Sequence, residues 1–142
     1  MEREWIIVAS RDEVRIFKYA GPNKLELLRD IGNPLGLARA HELVTDKPGR
    51  STDNRMRARH SYSTEQTKRE RVLIDFYRDI VEILDKAWLN HEYEALTIIA
   101  EPRLLGIIRE LLPTNLKRVL KREIAKDLSY AEETNIIGRL RG

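Results

Sequence analysis

Residues 5–9 (WIIVA) are apolar at every position, the pattern of a strand covered on both faces. A polar turn, Ser10-Arg11-Asp12-Glu13, follows. Val14 and Ile16 then alternate with Arg15 while Phe17 and Tyr19 line the other side, which predicts a second strand. Gly21-Pro22-Asn23 supplies turn chemistry, because proline presets one dihedral and glycine or asparagine tolerates positive φ, and residues 25–31 give a third, more polar strand. The three form an antiparallel meander. Residues 95–100 (ALTIIA) repeat the near-continuous apolar pattern, and residues 119–124, short and mixed with charge, read as an edge strand.

Helical periods lie between and after these runs. Ser63 with Gln66 three residues later has the form of a capping box, so a long helix is expected to start at Ser63. Val72, Phe76, Ile80, Ile83 and Ala87 recur at spacings of three and four, Leu73, Leu84 and Trp88 widen the stripe, and Asn90-His91-Glu92 ends it. Pro102 suits the first turn of a second helix, whose apolar face runs through Leu104, Leu105, Ile108, Leu111 and Leu112 to Pro113. Ser129 with Glu132 repeats the capping-box pattern ahead of a last helix carrying Ile136, Ile137 and Leu140. A strand, helix, strand unit implies a parallel pair with a right-handed crossover. The expected fold is therefore α/β, a mixed five-stranded sheet in the order 3-2-1-4-5 with helices on its faces, by analogy with ribonuclease H-like folds. Residues 32–64 carry no sustained period, apart from a short helical turn expected at 39–44. Irregular connections of that length are uncommon in compact domains, which directs attention to this one.

Composition narrows the function classes. A chain of 142 residues fits one domain, 1–142, and 42% hydrophobic with 35% charged residues fits a folded one. The absence of cysteine removes disulfides, thiolate zinc sites and cysteine nucleophiles, and fits a reducing compartment. The first apolar run is too short for a signal-peptide core or a membrane span, so a cytoplasmic protein with no membrane contact is expected. Net charge is +3, but residues 47–72 hold eight Lys/Arg against three Asp/Glu, giving +5 there and −2 elsewhere. Local basicity suggests an anionic partner such as RNA; the alternative is a solvated basic loop without a dedicated partner.

The candidate residues lie in that stretch. Lys47-Pro48-Gly49-Arg50-Ser51 forms a turn in which Gly49 supplies positive φ. Arg55, Arg57 and Arg59 share a side if the segment is extended, presenting forked donors suited to phosphate oxygens, with His60 and Tyr62 nearby for stacking on unpaired bases. The RNA-binding set is Lys47, Gly49, Arg50, Ser51, Arg55, Arg57, Arg59 and His60. A two-metal nuclease needs carboxylates on adjacent strand ends, and only Asp12 and Glu101 qualify by position. His41, His60 and His91 lack the spacing of helical ligand pairs, and Ser51 and His60 have no sequence-visible partner to activate them as a hydrolase. No phosphate-binding loop, dinucleotide fingerprint or nucleophile elbow is present, so no catalytic residue, metal or cofactor is assigned.

The segments WIIVASRDEVRIF, ELVTDKPGRS, ARHSYSTEQTKRERVLIDFYRDIVEIL, LTIIAEPRLLGIIRELLP and REIAKDLS, in this order over nearly the whole chain, resemble the bacterial host attachment protein family. That family is similar to the middle domain of archaeal and eukaryotic peptide-chain release factors and of pelota. The resemblance implies a release-factor middle-domain fold and a setting of RNA or the ribosome, while the family name implies a protein interaction module linked to attachment to host cells. In release factors the corresponding loop carries Gly-Gly-Gln and promotes peptidyl-tRNA hydrolysis. Here Pro48 stands in place of the first glycine and Arg50 in place of the glutamine. Arginine only donates hydrogen bonds and cannot accept one from an attacking water, so the resemblance points to binding more than to hydrolysis. Oligomeric state is not legible at this level.

Overall fold

Every residue of β1 (Glu4–Ala9) and of β4 (Ala95–Ala100) is buried, and the two strands lie side by side and parallel inside a five-stranded sheet. The computed structural model describes residues 3–34 and 57–141, with side chains from residue 67 onward in the second stretch. β2 (Glu13–Gly21) pairs antiparallel with β1, β3 (Lys24–Gly32) antiparallel with β2, and β5 (Leu120–Ala125) parallel with β4. The spatial order is β3-β2-β1-β4-β5, the order expected by analogy with ribonuclease H-like folds.

The register brings Ile7 opposite both Ile16 and Ile98. Because successive side chains of a strand point to opposite faces, the two central strands, apolar but for Glu4 and Thr97, feed two cores. Trp5, Ile7, Ala9, Val14, Ile16, Leu96 and Ile98 face α1 (Arg57–Leu89), α2 (Pro102–Leu111) and α3 (Thr114–Val119). Ile6, Val8, Phe17, Leu25 and Ile99 face α4 (Glu133–Arg141) through Ile136 and Leu140. In β3 the register skips Leu28, a bulge that turns this residue toward the larger core.

The long helix departs from expectation at its start. It begins at Arg57, not at Ser63, so residues 57–64 belong to an element and not to the irregular connection. Arginine, alanine, glutamine, glutamate and lysine make up nine of the fifteen residues at 57–71, no Gly or Pro interrupts them, and Ser61, Ser63, Thr64 and Thr67 each cost only a fraction of a kcal/mol inside such a run. The buried stripe is also turned by about one residue: Leu73, Phe76, Tyr77, Ile80, Val81, Leu84 and Ala87 are buried, while Val72, Ile83 and Trp88 are half-buried. Tyr77 enters the core because its hydroxyl donates to the Ser10 carbonyl, satisfying the one polar atom the ring carries. The expected end holds. His91 takes φ 60°, the Glu92 amide donates to the Ala87 carbonyl and the His91 amide to that of Trp88, each at 3.0 Å, closing the helix by a Schellman pattern.

Two further expectations are corrected. Residues 114–119 wind into α3 before the edge strand begins, with Leu116 fully buried beneath them. Ser129 does not cap the last helix: its hydroxyl and amide both donate to Asp127 Oδ1, at 2.7 and 3.1 Å, and it is the Glu132 carbonyl that accepts the first helical amides, from Asn135 and Ile136. The short contact to Asp127 is the more favourable for the serine because it lies only two residues away.

Candidate nucleic-acid interface

Among the described side chains of α1, burial starts at Leu73, and residues 67–71 are all exposed. At a rise of about 1.5 Å per residue, the first residue of the helix stands about 24 Å before Leu73. Tyr77 meets the Ser10 carbonyl just past the carboxyl end of β1, so the helix extends beyond that end of the sheet. Of the residues singled out from sequence, Arg57, Arg59 and His60 lie in the first turns of this helix. The extended alternation expected across Arg55, Arg57 and Arg59 therefore does not describe the backbone at 57 and 59, which is helical. Lys47, Gly49, Arg50, Ser51 and Arg55, and the helical turn expected at 39–44, lie outside the described residues.

The carboxyl end of the parallel strands is rigidly built. The Ser10 hydroxyl donates to the Glu13 carbonyl at 2.9 Å and accepts from the Glu13 amide at 3.1 Å. Buried Asn33 donates its amide to the Asp12 carbonyl at 2.7 Å and its side chain to the Arg11 carbonyl at 3.3 Å. With the Tyr77 hydroxyl on Ser10, the turn after β1 is held from three elements. Burial raises the Tyr77 phenol well above its usual pKa, so it stays a donor across ordinary pH. Burial, followed by a side-chain hydrogen bond with Asp30, also raises the Glu13 carboxyl.

A cleft of about 300 Å³ opens beside this turn, lined by Arg11, Thr67, Arg69, Glu70, Leu73, Arg103 and Ile107. Arg11 follows β1, Arg103 stands in the first turn of α2 after β4, and Arg69 comes from α1. Arg103 meets Glu70 at 3.1 Å and Arg11 meets Glu101 at 3.6 Å. Of the two strand-end carboxylates weighed for a metal site, Glu101 is thus taken by the arginine that directly precedes Asp12. Sequence reasoning missed this cleft. Arg11 and Arg103 closely follow apolar strands and could have been marked by the rule that α/β sheets bind ligands beyond their carboxyl strand ends. Arg69 carries no local signal, because only the packing of α1 brings it there.

The opposite end of the sheet is built differently. A larger cavity of about 690 Å³ lies between Arg3, Trp5, Lys18, Pro22 and Leu28, under the β2–β3 hairpin. Beside it Glu4 is buried, accepting from the Thr97 hydroxyl at 2.8 Å and from Lys121 Nζ at 3.3 Å. That carboxylate ties the three parallel strands together at their amino ends. Among the described residues no helix is long and apolar enough to cross a membrane.

Comparison with known proteins agrees with this architecture. The chain superposes on the crystal structure of the archaeal translation termination factor aRF1 with a TM-score of 0.50 at 13% sequence identity, over 96% of this chain and 37% of that one. A second archaeal protein superposes with a TM-score of 0.49 at 13% identity, over 96% and 36% of the respective chains. At 13% identity the likeness to the termination factor is one of fold. An uncharacterised protein of Rickettsia prowazekii (strain Madrid E) is 42% identical over 53 residues, 36% of this chain and 35% of that protein. The matches thus span only about a third of each of these proteins. The sequence profile of the family described as "Protein required for attachment to host cells" matches residues 5–140. The chain belongs to this host attachment family, on a release-factor-like α/β scaffold.

Proposed function

We propose that this protein is a release-factor middle-domain-like unit, acting as one domain in the cytoplasm, that binds structured RNA or the ribosome through the basic stretch leading into α1. Gly49 shapes the turn; Lys47, Arg50, Arg55, Arg57 and Arg59 engage phosphates; Ser51 and His60 add polar and stacking contacts. The observation that carries this reading is the +5 charge of residues 47–72, joined to a helix that extends past the carboxyl end of the sheet. The likeness in fold to a translation termination factor supports the setting. Arg50 in place of a glutamine supports binding without peptidyl-tRNA hydrolysis.

The test is co-sedimentation with ribosomes and gel shift of structured RNA across a salt series. Replacing Arg50, Arg55, Arg57 and Arg59 by alanine is expected to abolish binding near physiological salt and to flatten the dependence of log K on log salt by about 0.9 for each phosphate no longer neutralised. Unchanged binding by that variant rules the reading out. The family description favours a second reading, a protein interaction module serving attachment to host cells. Display of the protein on the cell surface, detected by antibody on intact cells, favours the second over the first.

A further inference from the structure

We infer that the cleft of Arg11, Arg69 and Arg103 is a second phosphate-binding subsite, on the rigid scaffold, that takes the backbone of the same RNA chain held by the basic stretch. This rests on the RNA reading above and adds a place to it. Three elements converge on the cleft: the turn after β1, the first turn of α2, and the exposed part of α1 that continues from the basic segment. Guanidinium groups bind phosphate through planar forks, and three of them around about 300 Å³ leave room for one phosphate with its sugar. Leu73 and Ile107 supply an apolar wall against which a ribose can rest.

The acids present select the kind of ligand. Glu70 holds Arg103 and Glu101 holds Arg11, while no described carboxylate pairs with Arg69. All four paired side chains are at least 40% exposed, so these bridges contribute little and exchange readily for a phosphate oxygen. They also leave the cleft a net charge of only +1, from three arginines and two glutamates. A free phosphate ion gains little from such a site. A phosphodiester chain already anchored by the basic stretch, which continues in sequence into α1, meets it at high effective concentration, which compensates for weak intrinsic affinity.

The experiment measures fluorescence anisotropy of a labelled RNA hairpin of about 20 nucleotides between about 50 and 200 mM KCl. The variant R11A/R69A/R103A is expected to bind about tenfold more weakly at the lower salt, with a slope reduced by about 2 to 3. Arg69→Ala, which breaks no described ion pair, is expected to lower the slope by about 1 with unchanged melting temperature, separating binding from folding. E70Q/E101Q is expected to bind more tightly, because it frees two arginines. If the triple variant matches the wild type while the loop variant R50A/R55A/R57A/R59A loses binding, the subsite is wrong and the RNA reading stands. If the wild type binds no hairpin at the lower salt, both fall. Inorganic phosphate or polyglutamate displacing the hairpin from the cleft at charge-equivalent concentration overturns the assignment to a nucleic-acid backbone.

Discussion

On one face of the sheet α1, α2 and α3 bury a continuous apolar layer from Trp5 to Leu116; on the other, the nine-residue α4 covers the sheet with Ile136 and Leu140 as its buried side chains. The first face is held by area. Leu73, Phe76, Ile80, Val81 and Leu84 of α1 alone contribute roughly 1.5–3 kcal/mol each before entropy is counted. The second is held by a smaller apolar layer and by two arginines that reach backbone carbonyls. Arg15 donates to the carbonyls of Leu128 at 2.9 Å, Ser129 at 2.9 Å and Ala131 at 3.1 Å, and Arg122 donates to that of Leu140. Both leave a buried Nε without a partner, a cost that no described side chain on the first face carries. A helix of nine residues is not stable alone in water, so α4 exists because it is docked. The lesson is that the frame carrying the basic stretch and the cleft is the cooperative part, while the carboxyl-terminal cover is an attached one.

The largest effects come from opening each core in turn. Leu84→Ala is expected to lower global stability by about 3 kcal/mol in urea titration, through reduced burial and the cavity left beneath the helix. Ile136→Ala is expected to accelerate amide exchange across residues 128–141 while β1 and β4 keep their protection. Equal loss of protection in β1 and β4 for both variants abolishes the distinction between the faces.

A smaller effect isolates the polar half of the second face. Arg15→Met keeps the stem of the side chain but strands the carbonyls of Ser129 and Ala131, while that of Leu128 keeps the Ala131 amide at 3.0 Å, and about 2 kcal/mol of destabilisation is expected, confined by exchange to residues 128–141. Destabilisation spread evenly over the sheet would show that Arg15 supports the whole core.

The smallest effect lies at the rim of the first face. Arg109 meets Glu123 through two hydrogen bonds, at 2.7 and 2.8 Å, and this pairing holds the Glu123 carboxyl below its usual value. The folded pKa is the lower one, so the contribution is complete above the ordinary value of 4.5 and is lost as pH falls through the depressed one. Glu123→Gln is therefore expected to lower the melting temperature slightly at neutral pH, with the gap from wild type closing in acid. A gap that widens in acid contradicts the assignment.

Much of this frame is legible in the chain. The apolar run at 5–9 and the run at 95–100, broken only by Thr97, mark the buried strands, and the mixed run near 120 marks an edge strand, because burial on two faces, one face or none leaves different periods. Helix starts read less well. Ser63-Gln66 and Ser129-Glu132 both have the capping-box form and neither caps its helix, since a four-residue motif is outweighed by the propensity of a long run at 57–71 and by the Asp127 carboxylate next to Ser129. The stripe expected on α1 omits Tyr77, because a tyrosine hydroxyl disguises an apolar ring, and with it Val81, which lies one turn further along the same side.

By itself the sequence determined which segments face water and which do not, the strand order that those segments allow, and the concentration of positive charge at residues 47–72, which runs into the amino-terminal part of α1. Only the tertiary structure decided what meets across long separations: Arg15 with carbonyls 113 to 116 residues away, Arg103 with Glu70, and Arg69 beside Arg11. Periodicity records the face on which a side chain lies, whereas a meeting of two elements depends on where packed helices stop and turn, and no local pattern carries that distance.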